Sequence, residues 1–417
     1  MVAAKELKLN KVLIVVKKSL MFQWSEEIQS WCGEVPHEIL SSTPIGNAKF
    51  NLTYYEALFK RYRDDNNRYH MELRDDILKT KWDMIIADEA TALKNRKAAR
   101  SKAILKLARR TPYVVLMTGT PIHNRPDELW HLLHILNPKE FSSYWRFVEQ
   151  YCIATQDFMG YTRIEGFKNE EKLAEILDNY MLRRTEVEGI TEPIHEVIRV
   201  RLSPYQSKIY SQLAELSLAE LGDGNFLATT NPLVKYTRFR QIACSPYLFG
   251  GKNESSKTEA LLEFLAEHTP YTKVVVFSTL AEYLKLLFPR LKSFNPVMII
   301  GEKTGPEREQ ALIRFREDDS CRVMLTTMRE GLNLQETADT LVFMDKDWVP
   351  ALVEQVIGRV NRRGQNKQVK IVTFVGVIPG VMTLDEYIEY TVLPRKEQYS
   401  SALEMIYDYV KLLRMGV

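Results

Sequence analysis

At 417 residues the chain is too long for one ordinary core and suits two domains, or two with inserted elements. Hydrophobic residues at 45% and charged residues at 27% are ordinary globular values, and no apolar run approaches the roughly 18 residues of a membrane helix, so an intracellular, soluble protein of cytosol or nucleoplasm is expected. Lys plus Arg at 57 against Asp plus Glu at 54 leaves a net charge of +3, too little to announce nucleic acid by itself, and four scattered cysteines (Cys32, Cys152, Cys244, Cys321) argue against structural zinc and a disulfide framework.

The start, MVAAKELKLNK, has no apolar core bounded by a cleavage site, which argues against a secretory signal. Rich in Ala, Lys and Leu with Asn10 as a stop, it reads as the tail of a helix. A strand follows at Lys11 to Val16, and others are expected at Trp82 to Glu89, Tyr113 to Gly119, Lys273 to Ser278, Val297 to Ile300, Arg322 to Thr327, Thr340 to Asp345 and Val369 to Val375. Continuous apolar strands alternating with helices are what parallel sheets covered on both faces require. Between the two groups of strands the pattern is helical and polar, at Pro126 to Leu136, Asn169 to Leu182 and Ser203 to Leu221. The expected fold class is α/β, two parallel-sheet lobes with helical insertions between them. The expected division is 1–125 for the first lobe, 126–255 for insertions and linker, 256–385 for the second lobe and 386–417 for a C-terminal helix, with loops near Gly222 to Asn225 and Gly250 to Lys257.

Asp88 and Glu89 close the second strand, and in open α/β sheets ligands bind at the carboxyl ends of strands. In a nucleotide motor such a first carboxylate holds Mg²⁺ through water, and the second orients or deprotonates the attacking water. Asp88 could equally cap the helix after it. From Ala92 to Arg110 the chain carries Lys94, Arg96, Lys97, Arg100, Lys102, Lys106, Arg109 and Arg110 with no acidic residue, a field suited to phosphates, though also what a solvated helix face presents. The next strand runs out at Thr118, Gly119, Thr120 and Pro121, where hydroxyls and a flexible glycine can sense a phosphate or simply end a strand. Further on, Gly331 permits close backbone approach, and Asn333 can cap a helix while touching a phosphate. In QVIGRVNRRGQ, Gln355 to Gln365, a helix would set Arg359 and Arg362 on one face, and paired guanidiniums suit a transferring phosphoryl group. Arginines of this kind are supplied across an interface and stabilise transition-state charge.

In this order the residues resemble the Swi/Snf-like DNA translocases of helicase superfamily two, over nearly the whole chain. KVLIVVKKSLMFQWSEEI is similar to the first DNA-contacting motif, with Lys17 where proline is usual, NLTYYEAL to the segment after it, and DEAT to the DEAH box. LMTGTPIHNRPDELWHLLHILNP, YMLRRTEVE, RQIACSPYLF, SSKTEALLEFL, KVVVFS, EGLNLQETAD and QVIGRVNRRGQ continue the series. REGLNL and DKDWVP depart from the GG-containing fifth motif and the WNP segment, and point to a bacterial or viral branch. The resemblance implies two RecA-like lobes with ATP and Mg²⁺ as cofactors. It makes Asp88, Glu89, Arg359 and Arg362 catalytic, with Asp88 on Mg²⁺ through water, and Thr118, Gly119, Thr120 and Gln355 coupling residues. Double-stranded DNA, bound without sequence preference, would be the partner of Ser19, Gln23, Trp24, Thr53, Gly331 and Asn333. Members of this group open with a GxGKT phosphate loop, and the only similar string here, Gly301 to Thr304, has an inserted Glu and reads as a turn. A truncation before the Walker A loop is therefore expected, with either a partner segment supplying the loop or marginal stability. An uncovered sheet edge at Lys11 to Val16 is expected too. Without the loop the chain is either an incomplete motor, inactive alone, or a silent DNA-binding or regulatory fragment.

Overall fold

Val12–Val16 is a run of five apolar residues, all fully buried, and such a strand is stable only with partners on both edges and layers on both faces. In the computed structural model it runs parallel to Phe50–Tyr54 on one side and to Met84–Ala87 on the other. His37–Ile39 and Tyr113–Leu116 complete an all-parallel five-stranded sheet. The expectation of an open edge at this strand is thus corrected. FNLTY, whose Asn51 and Thr53 interrupt the apolar pattern, supplies the neighbour. The edges are His37–Ile39 and Tyr113–Leu116, and in the latter Tyr113 and Val115 are 43% and 39% exposed while Val114 and Leu116 pack inward.

The pleat divides the sheet between two cores. Leu13, Val15, Ile85 and Ala87 face helices Ala99–Ala108 and Glu128–Leu136, and Val12, Ile14, Val16, Met84 and Ile86 face helix Met21–Cys32. Each buried branched side chain contributes roughly 1.5–3 kcal/mol. Helix Met21–Cys32 ends at Gly33, whose φ of 65° is left-handed and whose N–H closes on the Gln29 carbonyl. Beyond the sheet, hairpins Phe59–Arg63 with Tyr69–Leu73 and Cys152–Gln156 with Thr162–Phe167 are antiparallel. The second packs with helices Tyr144–Tyr151 and Glu170–Leu177 on a separate core that includes Trp130, Phe147 and Leu173.

The structure describes residues 2–394 apart from 42, 64–68, 120, 122–125, 157–161, 183–189, 223–224, 230–231, 302–304 and 330. They form two units that part at residues 183 and 184. The second unit holds a six-stranded parallel sheet in the order Ile194–Arg201, Lys370–Val377, Thr340–Phe343, Val274–Phe277, Val323–Thr326, Val297–Ile299. All eight expected strands are present, and the α/β class holds in both units. The long helix expected from Ser203 is shorter. A capping box of Ser203 and Gln206 launches Pro204–Leu216, Ser217 takes a φ of 56°, and Leu218–Gly222 turns into a hairpin with Asn225–Ala228. The expected C-terminal helix lies largely outside the described residues, which end after Leu384–Tyr387 and a π-helical turn at Ile388–Val392. Cys152, Cys244 and Cys321 are buried, and Cys32 is half-buried. No helix among the described residues is long and apolar enough to cross a membrane.

Candidate functional site

Asp88 leaves the sheet at the carboxyl end of Met84–Ala87, its N–H still bonded to the Val15 carbonyl. Its carboxylate is fixed from two directions. The Trp24 indole Nε1 donates to Oδ2 at 2.7 Å, and the Glu89 backbone N–H donates to Oδ1 at 2.8 Å. The Tyr55 hydroxyl donates to the Asp88 carbonyl at 2.7 Å. Burial, then the neighbouring Asp88 charge, pushes the Tyr55 phenol up, so it stays a donor. Glu89 itself adopts φ 49° and ψ 50°, a left-handed conformation that costs a non-glycine residue about 1–2 kcal/mol. That turn starts the short 3₁₀ helix Ala90–Leu93 with Glu89 at its N-cap, so Asp88 accepts from the Glu89 N–H and caps no long helix.

The turn is tied to the neighbouring strand exit. Ala90 N–H bonds the Met117 carbonyl at 2.8 Å, which brings the acidic pair beside Thr118 and Gly119. Gly119 is exposed, with nothing within 4 Å of where a Cβ would stand. Thr120, His123 and Asn124 lie outside the described residues. Among the described residues no group of three His, Cys, Asp or Glu could hold a metal ion. Asp88 offers a single carboxylate, and Mg²⁺ is commonly held by one or two carboxylates together with water and substrate phosphates.

Ser19 is exposed in the 3₁₀ turn Lys18–Leu20, and Gln23 and Trp24 are half-buried in the first turn of the helix after it. Thr53 is different. It is wholly buried, and its hydroxyl donates to the Ile39 carbonyl at 2.8 Å, so it is not on a surface that DNA can reach. The basic run also divides. Lys94 pairs with Glu128 at 3.0 Å and Arg96 lies 4.1 Å over the Tyr144 ring, whereas Lys97, Arg100, Lys102, Lys106, Arg109 and Arg110 are exposed along helix Ala99–Ala108 and its ends.

In the second unit the expected helical placement of the arginine pair is corrected. The helix is Pro350–Ile357, and Arg359 and Arg362 follow it in tight turns. Bonds from Arg359 N–H to the Val356 carbonyl and from Val360 N–H to Ile357 tighten the end, while buried Val360 anchors it. The turns then join the Gly331 loop. Leu334 N–H bonds the Arg359 carbonyl at 3.0 Å, an Arg362 guanidinium nitrogen donates to the Asn333 side-chain oxygen at 2.9 Å, and Gln365 donates to the Ala338 carbonyl at 3.0 Å. Gly331 has a φ of 74°, which glycine alone adopts readily. Arg359 Nε is held by the Gln355 carbonyl at 3.1 Å. Sequence reasoning missed Tyr55 and Arg316, the latter donating to the Asn333 carbonyl at 2.8 Å. Tyr55 stands two residues after Thr53, but no local pattern says that it reaches a residue 33 positions away.

Comparison with known proteins bears on both units. The SNF2-related domain model matches residues 2–248, and the helicase conserved C-terminal domain model matches residues 256–364. The chain is 29% identical over 416 residues to the Arabidopsis thaliana protein CHROMATIN REMODELING 5, covering 87% of this chain and 22% of that protein. It is 27% identical over 410 residues to the Saccharomyces cerevisiae nuclear protein STH1/NPS1, covering 87% and 29%. To the ISWI chromatin-remodeling complex ATPase ISW1 of the same yeast it is 27% identical over 417 residues, covering 93% and 35%. The chain thus spans about a fifth to a third of the length of these relatives. Among solved structures it is similar to a Sulfolobus solfataricus SWI2/SNF2 ATPase core in complex with dsDNA, at 22% identity and a TM-score of 0.39, covering 98% of this chain and 86% of that one.

Proposed function

Because the chain belongs to the SNF2-related domain family, with a helicase conserved C-terminal domain after it, we propose that it is the motor portion of an ATP-dependent translocase that moves along double-stranded DNA without reading its sequence. The observation that carries the reading is the Asp88–Glu89 turn. An acidic pair at a strand end, with one carboxylate pinned and the other residue strained out of line, suits a water-mediated Mg²⁺ ligand beside a residue that activates water. Mg²⁺ would neutralise the phosphates there. Arg359 and Arg362 act on the γ-phosphate, and Thr118, Gly119, Thr120 and Gln355 couple the nucleotide to movement. Ser19, Gln23, Gly331 and Asn333, with the exposed cations of Ala99–Ala108, are the proposed DNA contacts. The 417 residues contain no GxGKT string, so turnover by this design draws on a phosphate loop from additional polypeptide, which we propose is a partner segment. The REGLNL and DKDWVP departures are the sequence basis on which a bacterial or viral branch is proposed. We also keep the finer division at residues 125 and 255.

A duplex titration tests the DNA half of this reading. Binding should be indifferent to base sequence and weaken steeply with salt. If half of the six exposed cations reach phosphates, log K falls against log salt with a slope of about −3. Strong sequence preference, or a flat salt profile, contradicts it.

A further inference from the structure

We propose that Trp24 is a positioning residue that holds the Asp88 carboxylate and passes DNA contact at residues 17–23 on to it. The proposal rests on the translocase reading for the roles of both ends. Its geometry is independent of that reading.

An indole N–H can only donate, and here it is spent on Asp88 Oδ2 at 2.7 Å, the distance of a charge-assisted bond. The other fixed contacts of Asp88 come from its own turn, from the adjoining strand and from Tyr55. Trp24 is the partner that arrives from the exposed segment at Ser19. The ring packs with Tyr54 against the core that includes Leu20 and Met21, so a shift of the 3₁₀ turn Lys18–Leu20 moves the ring with it. Lys18 closes the loop, because its ammonium sits 5.6 Å over the Tyr54 ring. Tyr54 and Trp24 each pack on this one core, so a phosphate that draws Lys18 away from Tyr54 disturbs the core on which the Trp24 ring rests, and the hydrogen bond at Asp88 is where the relay would end. A water-mediated metal ligand responds to such a change, because its orientation is set by the groups bonded behind it.

The test is the Trp24 indole ¹⁵N–H resonance, one of six tryptophan signals in the full chain, assigned by its loss in Trp24→Phe. Asp88→Asn should move that resonance upfield. Saturating duplex DNA should move it as well, and Lys18→Ala should remove the DNA response while leaving the response to Asp88→Asn. Trp24→Phe keeps an aromatic ring and loses only the indole N–H, so if Trp24 is a positioning residue rather than the DNA contact its motif resemblance implies, duplex affinity stays within about threefold of the parent. A duplex that binds without moving the signal overturns the relay. So does a Trp24→Phe loss of more than about tenfold in affinity, which would make Trp24 a direct DNA contact. Failure of the parent chain to bind duplex at all overturns the translocase reading, whereas the Asp88→Asn arm still reads the contact itself.

Discussion

Arg362 and Asn333 meet through a 2.9 Å hydrogen bond, and that pairing gives each a second duty: a guanidinium proposed for the γ-phosphate is held by a side chain proposed for DNA. Changing Arg359 or Arg362 to Ala should lower turnover of a loop-supplemented protein by about a thousandfold or more, as loss of an arginine finger does, with little change in nucleotide-free DNA affinity for Arg359→Ala and at most the loss of the single Asn333 contact for Arg362→Ala. A variant that keeps its turnover but loses DNA reassigns the arginines to backbone binding. His131 yields a pH prediction. It is buried in helix Glu128–Leu136, and burial first, then His134 and Arg96, lowers its pKa from 6.5 to about 4. Below pH 6.5 the unfolded chain takes up this proton and the folded chain resists it, so stability should fall as pH drops from 6.5 towards 4. His131→Leu should flatten that part of a pH series of thermal melts, and an unchanged slope would contradict the assignment. At this scale the sequence revealed residue types and their order. It could not reveal partners such as Trp24 with Asp88, which lie 64 positions apart in sequence and are brought together by the fold.

Between elements, the clearest fastening is Lys257. Fully buried at the start of helix Ser256–His268, it reaches Asp385 at 2.5 Å and the Met344 carbonyl at 2.7 Å, which ties that helix to the sheet and to Leu384–Tyr387. Lys257→Met strands the Asp385 carboxylate in the interior and should cost about 3–5 kcal/mol in urea unfolding, whereas the double change with Asp385→Leu should recover most of it. A loss below about 1 kcal/mol for the single change would show that solvent reaches the carboxylate. Elements with continuous apolar runs, such as VLIVV and VVVF, were legible because burial on both faces leaves an unbroken pattern. His37–Ile39, Phe50–Tyr54 and Ile194–Arg201 were not. They are short or polar, and the sheets they join decide their state. The arginine turns were misplaced for a related reason: helical spacing continues past Ile357, while Val360 packing bends the chain out of the helix.

Across the whole molecule, a net charge of +3 hides the fact that cations gather along Ala99–Ala108, and it is local distribution that should govern binding. Two parallel sheets, each with polar and charged residues in the turns and loops around its strands, are the frame on which the proposed motor reading rests. The sequence carried the fold class. It placed the open sheet edge on the wrong strand, because pairing order is a long-range property. The most direct measurement of the central claim is ATP turnover by this chain, alone and joined to a segment carrying a GxGKT loop, with and without duplex DNA. The joined protein should hydrolyse ATP, faster with duplex, and lose at least about a hundredfold of that rate on Glu89→Gln, while the chain alone should be inactive. Turnover by the chain alone, or joined turnover that ignores both duplex and Glu89→Gln, would contradict the account.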